Sequence, residues 1–327
     1  MKKFLDNIVE FFKYNWKQLI GLVIFMFIVN YELPYYIEAP GGTINITKRI
    51  DNNYNKKNGS LNMLYVTHYK GNVATLLMGK VIKSWDIYDI SKQQISNEDS
   101  DDIYIRNKVM LDNSIQNAMF VAYKEAGKEI KIKSEKNYII ATTKENDFKI
   151  GDLVKTIDGI SVKNVDTIKD VLSKKKIGEL AKFVVDRKGN DIEVSIPVPE
   201  DGIIGIAIMT NYDYEVEDEI DLGFKYGEGG SSGGLVLTLA LYSEITGIDI
   251  LKGRNIAGTG TIDIDGNVGE IDGIKYKIAG AYKKKMDVVL VSPYNYEEAV
   301  KVNGENNYNL EIVKVSTFKE AVDYLTK

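Results

Sequence analysis

The stretch Gly227–Gly247, GEGGSSGGLVLTLALYSEITG, sets a glycine-packed turn holding two adjacent serines directly against an apolar run. Gly229, Gly230, Gly233 and Gly234 let the backbone take positive φ and come close to another group. From Leu235 to Leu241 nearly every side chain is apolar, which suits a helix buried on most of its faces. A serine at the head of such a helix sits beside unpaired backbone N–H groups, in the positive field of the helix N-terminus. Those are the ingredients of an oxyanion hole, given a base within reach. An anion-binding loop is the competing reading. A flexible linker is disfavoured, because a core helix follows at once.

Composition narrows the chemistry. The 327 residues are enough for two globular domains plus extras, and 44% apolar content with a net charge of −5 describes a folded protein, not a nucleic-acid binder. There is no cysteine, so neither disulfides nor thiolate metal sites exist. The single histidine, His68, rules out histidine-based zinc sites. It also leaves a Ser-His-Asp triad dependent on one residue about 160 positions from the serine loop. Within YVTHYKGN it reads as an ordinary histidine of a polar strand-loop region. No cofactor and no metal are implied.

The N-terminus is basic and amphipathic, with Lys2, Lys3, Lys13 and Lys17 against Asp6 and Glu10. Gln18–Tyr31 then carries no charge, and Trp16 with the Leu33–Ile37 flank lengthens that apolar core. Tyr31, Tyr35 and Tyr36 form an interfacial belt. No small-residue cleavage pattern stands near Glu38 and Ala39. Residues 1–40 therefore read as an uncleaved, single-pass membrane anchor. Positive charge before the span, with Glu32 and Glu38 after it, puts the N-terminus in the cytoplasm and the bulk of the chain outside.

Pro40, Gly41 and Gly42 are expected to break the chain. Residues 41–127 read as a β-rich segment with a helix. Alternating stretches (TINITKRI, SLNMLYVTHY, VATLLMGKVI) predict strands around a polar turn at Asn52–Gly59. An acidic loop at Asn97–Asp102 precedes a helix over Asn107–Tyr123, ended by Gly127. Residues 128–199 give strands at EIKIKS and YIIATT, then GDLVKTIDG, a helix over Val165–Lys174, and strands at AKFVVDRKG and DIEVSIPV. Gly151-Asp152 turns into a buried strand, and Asp158-Gly159 is a favoured hairpin dipeptide. The run Phe148–Val162 resembles the core of PDZ domains, which bind an extended peptide by adding it to a sheet edge. No glycine-containing carboxylate-binding loop stands before Tyr138. A small structural β-domain is the alternative.

A serine without an available histidine needs another base, and a lysine serves if burial depresses its pKa. The candidate is Lys275 in GEIDGIKYKIAGA, at the start of a helix that packs through Ile278, Ala281 and Tyr282. Lys277 and Lys283–Lys285 read as solvated charges. Together Gly229–Gly247 and Gly258–Lys277 resemble the proteolytic domain of Lon proteases. That family's serine loop reads D-G-P-S-A-G before an apolar helix ending in T-G. Counting back from Thr246-Gly247 selects Ser232 as nucleophile, with Ser231 as its rival. The family's second block is matched by Thr259, Gly260, Ile262, Gly266, Val268, Ile271, Gly273, Ile274 and Lys275, which lies 43 residues after Ser232. Gly229, Ser231 and Gly233 depart from the aspartate, proline and alanine of the family's loop. Leu33–Gly41, LPYYIEAPG, resembles a segment of the membrane-anchored, PDZ-containing bacterial branch.

The resemblance implies an α+β chain: N-terminal transmembrane anchor, β-rich segment with helix, PDZ-like domain over 128–199, and Lon-protease-like α/β domain over 200–327. It implies an ATP-independent serine endopeptidase, since no G-x-x-x-x-G-K-[ST] sequence occurs. Ser232 would be the nucleophile and Lys275 the base, with Thr259 hydrogen-bonding the lysine. Gly230, Ser231 and Gly233 support the turn, and the N–H of Ser232 and of a neighbouring glycine receive the oxyanion. The implied partners are protein or peptide substrates and the membrane, with no nucleic acid and no ATP; a homo-oligomer is compatible. Two other readings stay open: an anchored peptide-binding scaffold with an inactive protease-like domain, and a phosphate-binding glycine loop.

Overall fold

The computed structural model describes residues 2–50, 58–89, 98–142, 146–200, 202–217, 220 and 222–327. It divides into two units: Met1–Pro40 with Val66–Gln93, and Gly41–Tyr65 with Gln94–Lys327.

The first unit opens with helix α1 (Lys2–Asn30), of which Glu10–Asn30 is long and apolar enough to cross a membrane. Its apolar side chains, such as Phe25 and Phe27, face outward. Strand β1 (Glu32–Asn45) follows, and its first half pairs antiparallel with β3 (Asp86–Asp89), Tyr35 opposite Asp89 and Glu38 opposite Asp86. His68, in β2 (Ser60–Asn72), is exposed and pairs with Glu38 at 3.3 Å. The strand expected at VATLLMGKVI is instead helix α2 (Val73–Val81). The reason is local: Asn72 accepts the Thr75 N–H and Thr75 Oγ1 accepts the Asn72 N–H, both at 2.8 Å, a reciprocal cap that starts a helix.

The expected break at Pro40-Gly41-Gly42 is also absent, because β1 runs through it. Gly41 lies flat against Tyr65, where a side chain would collide with the ring.

In the second unit β1 and β2 belong to a sheet in the order β1-β2-β10-β13-β14, with β10 (Asn255–Thr259), β13 (Val288–Val291) and β14 (Glu311–Lys314), while β11 (Thr261–Ile262) and β12 (Val268–Gly269) pair as a separate ribbon. The neighbours from β2 to β14 run parallel, so both sheet faces must be covered by helices. Alternation along the strands assigns the faces. Leu61, Ile256, Val288 and Leu290 meet one helical layer: α3 (Ser100–Glu125), α5 (Gly234–Thr246) and α8 (Phe318–Thr326). Ala257, Val289 and Val291 meet the other: α6 (Ile274–Lys283) and α7 (Pro293–Glu305). Helix α5 is the expected core helix. Every residue from Gly234 to Leu241 is buried, and Gly247 ends it at φ +73°.

The acidic stretch before α3 is its cap, not a loop. Asp99 accepts the N–H groups of Asp101 and Asp102, and acidic residues in a first turn suit the helix dipole. Asn97 and residues 52–57 of the expected polar turn lie outside the described residues.

A second, antiparallel sheet runs β8-β7-β5-β4-β9, with β6 (Ile160–Ser161) paired to β5. Its strands are β4 (Ile130–Thr142), β5 (Leu153–Ile157), β7 (Leu180–Arg187), β8 (Asn190–Pro197) and β9 (Ile206–Val216). The two strands expected before Gly151 are one, β4. Strand β9, beyond the boundary expected at 199, completes the sheet as its edge. Helix α4 (Val165–Leu172) adds Ile168 to a core with Ile139, Phe148, Val154 and Phe183. Asp158 and Gly159 both take positive φ at the hairpin. Buried Asp152, at the expected turn, receives two 2.7 Å hydrogen bonds from the Arg187 guanidinium.

Candidate active site

Ser231 and Ser232 sit half-buried in the turn that enters α5. Gly230 takes φ +92° and donates its N–H to the Asn107 carbonyl of α3 at 2.9 Å. The Ser114 hydroxyl of α3 donates to the Ser231 carbonyl at 3.2 Å. Before the turn, the Arg49 guanidinium clamps Glu228 through two hydrogen bonds of 2.8 and 2.6 Å and holds its carboxyl below the usual range.

Two glycines of the turn pack closely against neighbouring side chains. A Cβ at residue 229 would come within 2.8 Å of Asn107 Cβ, and one at residue 233 would overlap Met63 Sδ.

On the far side of the turn, the Ser232 carbonyl accepts the Gly260 N–H at 2.9 Å and the Thr259 hydroxyl at 3.2 Å. Fully buried Thr259 also accepts a lysine ammonium at 3.2 Å, but that of Lys277. Lys277 is 3% exposed, and burial pushes its pKa down from 10.5 to about 8, against a smaller upward pull from Asp272. The expectation that Lys277 is a solvated charge is therefore corrected. Lys275 is only half-buried, with its Nζ 4.9 Å above the Tyr276 ring. Tyr282, expected on the packing side, is exposed.

Helical periodicity explains the difference. Ile274, Lys277, Ile278 and Ala281 follow the i, i+3, i+4, i+7 pattern of one buried face, and Lys275 stands off it. Lys283, Lys284 and Lys285 are exposed, as solvated charges should be.

A turn with two glycines precedes β9. Gly202 and Gly205, at φ +68° and +73°, flank exposed Ile203 and lead into the edge strand. Farther along that edge, Asn113 of α3 donates to the Thr210 carbonyl at 2.7 Å. Gln116 accepts the Tyr212 N–H at 2.8 Å and donates to its carbonyl at 3.2 Å. One helix thus supports the serine turn and occupies part of the β9 edge.

Residues 223–327 match the family model of the Lon protease (S16) C-terminal proteolytic domain, and residues 126–198 that of the PDZ domain. The chain is 30% identical to the Lon protease of Campylobacter jejuni over 133 residues, 40% of this chain and 16% of that one. It is 33% identical to the Lon protease of Brucella suis over 95 residues, 29% and 12% of the two chains. The matches thus span at most about a sixth of these relatives. Among solved structures, PDZ domains of SdrC-like proteins align with 24% of this chain (Listeria monocytogenes) and 22% (Listeria innocua), each over 92% of the domain. Identities are 22% and 26%, and TM-scores 0.22 and 0.20. The chain therefore carries a PDZ domain and, over residues 223–327, a serine-peptidase domain of the Lon (S16) type.

Proposed function

We propose that the chain is an ATP-independent endopeptidase in which Ser232 is the nucleophile and Lys277, in place of Lys275, is the base. One observation carries this reading: a buried lysine held by Thr259, whose hydroxyl also bonds the Ser232 carbonyl. With a pKa of about 8, roughly a quarter of such amines are neutral at pH 7.5, against about one in a thousand at the ordinary value. The neutral amine takes the Ser232 Oγ proton as Oγ attacks the peptide carbonyl, then returns it to the leaving amine. Water hydrolyses the acyl-enzyme by the same route.

Among the described residues, nothing accepts the N–H groups of Ser232 and Gly233. They are the donors for the tetrahedral oxyanion, while the Gly230 N–H is committed to Asn107. Ser231 is the weaker nucleophile candidate, since its carbonyl faces Ser114 and not Thr259. The alternative, a peptide-binding scaffold with an inactive protease-like domain, predicts no fragments from wild type.

In this reading the PDZ domain selects or presents substrate by strand addition at β9, over Ile206–Met209, before Asn113 and Gln116 close the edge. Helix α1 spans the membrane with the remaining residues outside the cytoplasm. The test is mass spectrometry of casein fragments made by wild type, Ser232→Ala and Ser231→Ala. Fragments should persist with Ser231→Ala and vanish with Ser232→Ala; undiminished cleavage by Ser232→Ala refutes the assignment.

A further inference from the structure

Helix α2 is built the wrong way round for a helix in water. None of its residues is buried, and Leu77, Met78 and Val81 are 60, 46 and 81% exposed. At about 100° per residue these three lie within one third of the helix circumference. Gly79, on the opposite side, faces the fold: a Cβ there would come within 2.9 Å of Ile87 Cγ1 of β3. A surface helix ordinarily turns its apolar stripe inward. Here the small residue faces in, the large apolar residues face out, and Lys80 and Lys83 are exposed beside them.

The position of α2 within the first unit supplies the partner. Strand β2 ends beside the start of β1: a Cβ at Gly71 would lie 3.0 Å from the Tyr35 carbonyl, and Lys70 pairs with Glu32 at 3.3 Å. Glu32 follows the end of α1 by two residues, and α2 packs against α1. The apolar face of α2 therefore emerges where α1 leaves any membrane it spans. Trp85, just past α2, packs edge-to-face on Tyr69 at 5.7 Å, an aromatic pair of the kind favoured at membrane interfaces.

We propose that α2 is a second membrane contact, lying in the bilayer surface beside α1. Leu77, Met78 and Val81 enter the acyl boundary, and Lys80 and Lys83 meet anionic headgroups. The inference rests on α1 being a membrane span, and the experiment separates the two. Because the chain has no cysteine, single variants Leu77→Cys, Val81→Cys, Val23→Cys on α1 and Tyr294→Cys on α7 can each carry one environment-sensitive fluorophore. The full chain is reconstituted into phosphatidylcholine vesicles with a minority of phosphatidylglycerol, with and without brominated acyl chains.

Labels at 77 and 81 should lose emission to lipid brominated near the headgroup, and the label at 294 should not. If label 23 is quenched while labels 77 and 81 respond only to aqueous iodide, the surface contact is refuted and the span stands. If label 23 escapes brominated lipid, the span fails and the contact with it. Shielding at 77 and 81 that grows with protein density, without lipid quenching, assigns the face to a second copy and also overturns the proposal.

Discussion

Replacing Lys277 by methionine should abolish turnover and stabilise the catalytic domain. The fall of the Lys277 pKa from 10.5 to about 8 corresponds to about 3 kcal/mol held against the charged amine. The folded value lies below the unfolded one, so between those pH values the unfolded chain binds more protons, and stability rises with pH. Below pH 8 the penalty is present in full. Methionine matches the volume without the charge and forfeits one hydrogen bond to Thr259, worth about 1 kcal/mol. The net gain is about 2 kcal/mol at pH 7, falls to zero near pH 10 and becomes a loss of about 1 kcal/mol above pH 10.5. Urea unfolding of the detergent-solubilised chain, followed at pH 7 and pH 10, reads this out. A Lys277→Met protein less stable than wild type at pH 7, or a difference that ignores pH, would refute the reasoning.

Other consequences can be checked alongside. The kcat/KM for a peptide substrate should rise with pH and level off above about pH 8, as Lys277 deprotonates; a pH–rate profile flat from pH 6 to 9 contradicts this. Gly233→Ala should cost about 1–3 kcal/mol by overpacking against Met63 Sδ. Adding Met63→Ala should recover part of that loss, and strict additivity in the double-mutant cycle would disprove the contact. Arg187→Ala should destabilise the PDZ domain by about 3 kcal/mol, because it leaves the buried Asp152 carboxylate unpaired. Calorimetry showing no change in that domain's transition would count against the pairing.

Much of the site was legible because it is written in local chemistry. The serine turn, the core helix and its Gly247 terminus follow from glycine placement and an apolar run. The hairpin at Asp158-Gly159 likewise needs two residues tolerant of positive φ. What the sequence pattern hid turns on particular contacts, some local and some distant in the chain. VATLLMGKV alternates well enough for a strand, and only the Asn72–Thr75 cap decides for a helix. Pro40-Gly41-Gly42 signals a break, yet the glycine at 41 serves to admit Tyr65. Lys277 looked solvated because lysines usually are, although its spacing from Ile274, Ile278 and Ala281 put it on the buried face. The roles of Met63, Asn107 and Ser114 required the fold, since each reaches the serine turn from more than a hundred residues away.

In the proposed mechanism the amine at 277, not the one at 275, activates Ser232. Initial rates of peptide hydrolysis by Lys277→Ala and Lys275→Ala, purified and assayed side by side, test it most directly. Lys277→Ala should show no turnover above background, and Lys275→Ala near-wild-type rates. Activity retained in Lys277→Ala and lost in Lys275→Ala would contradict it.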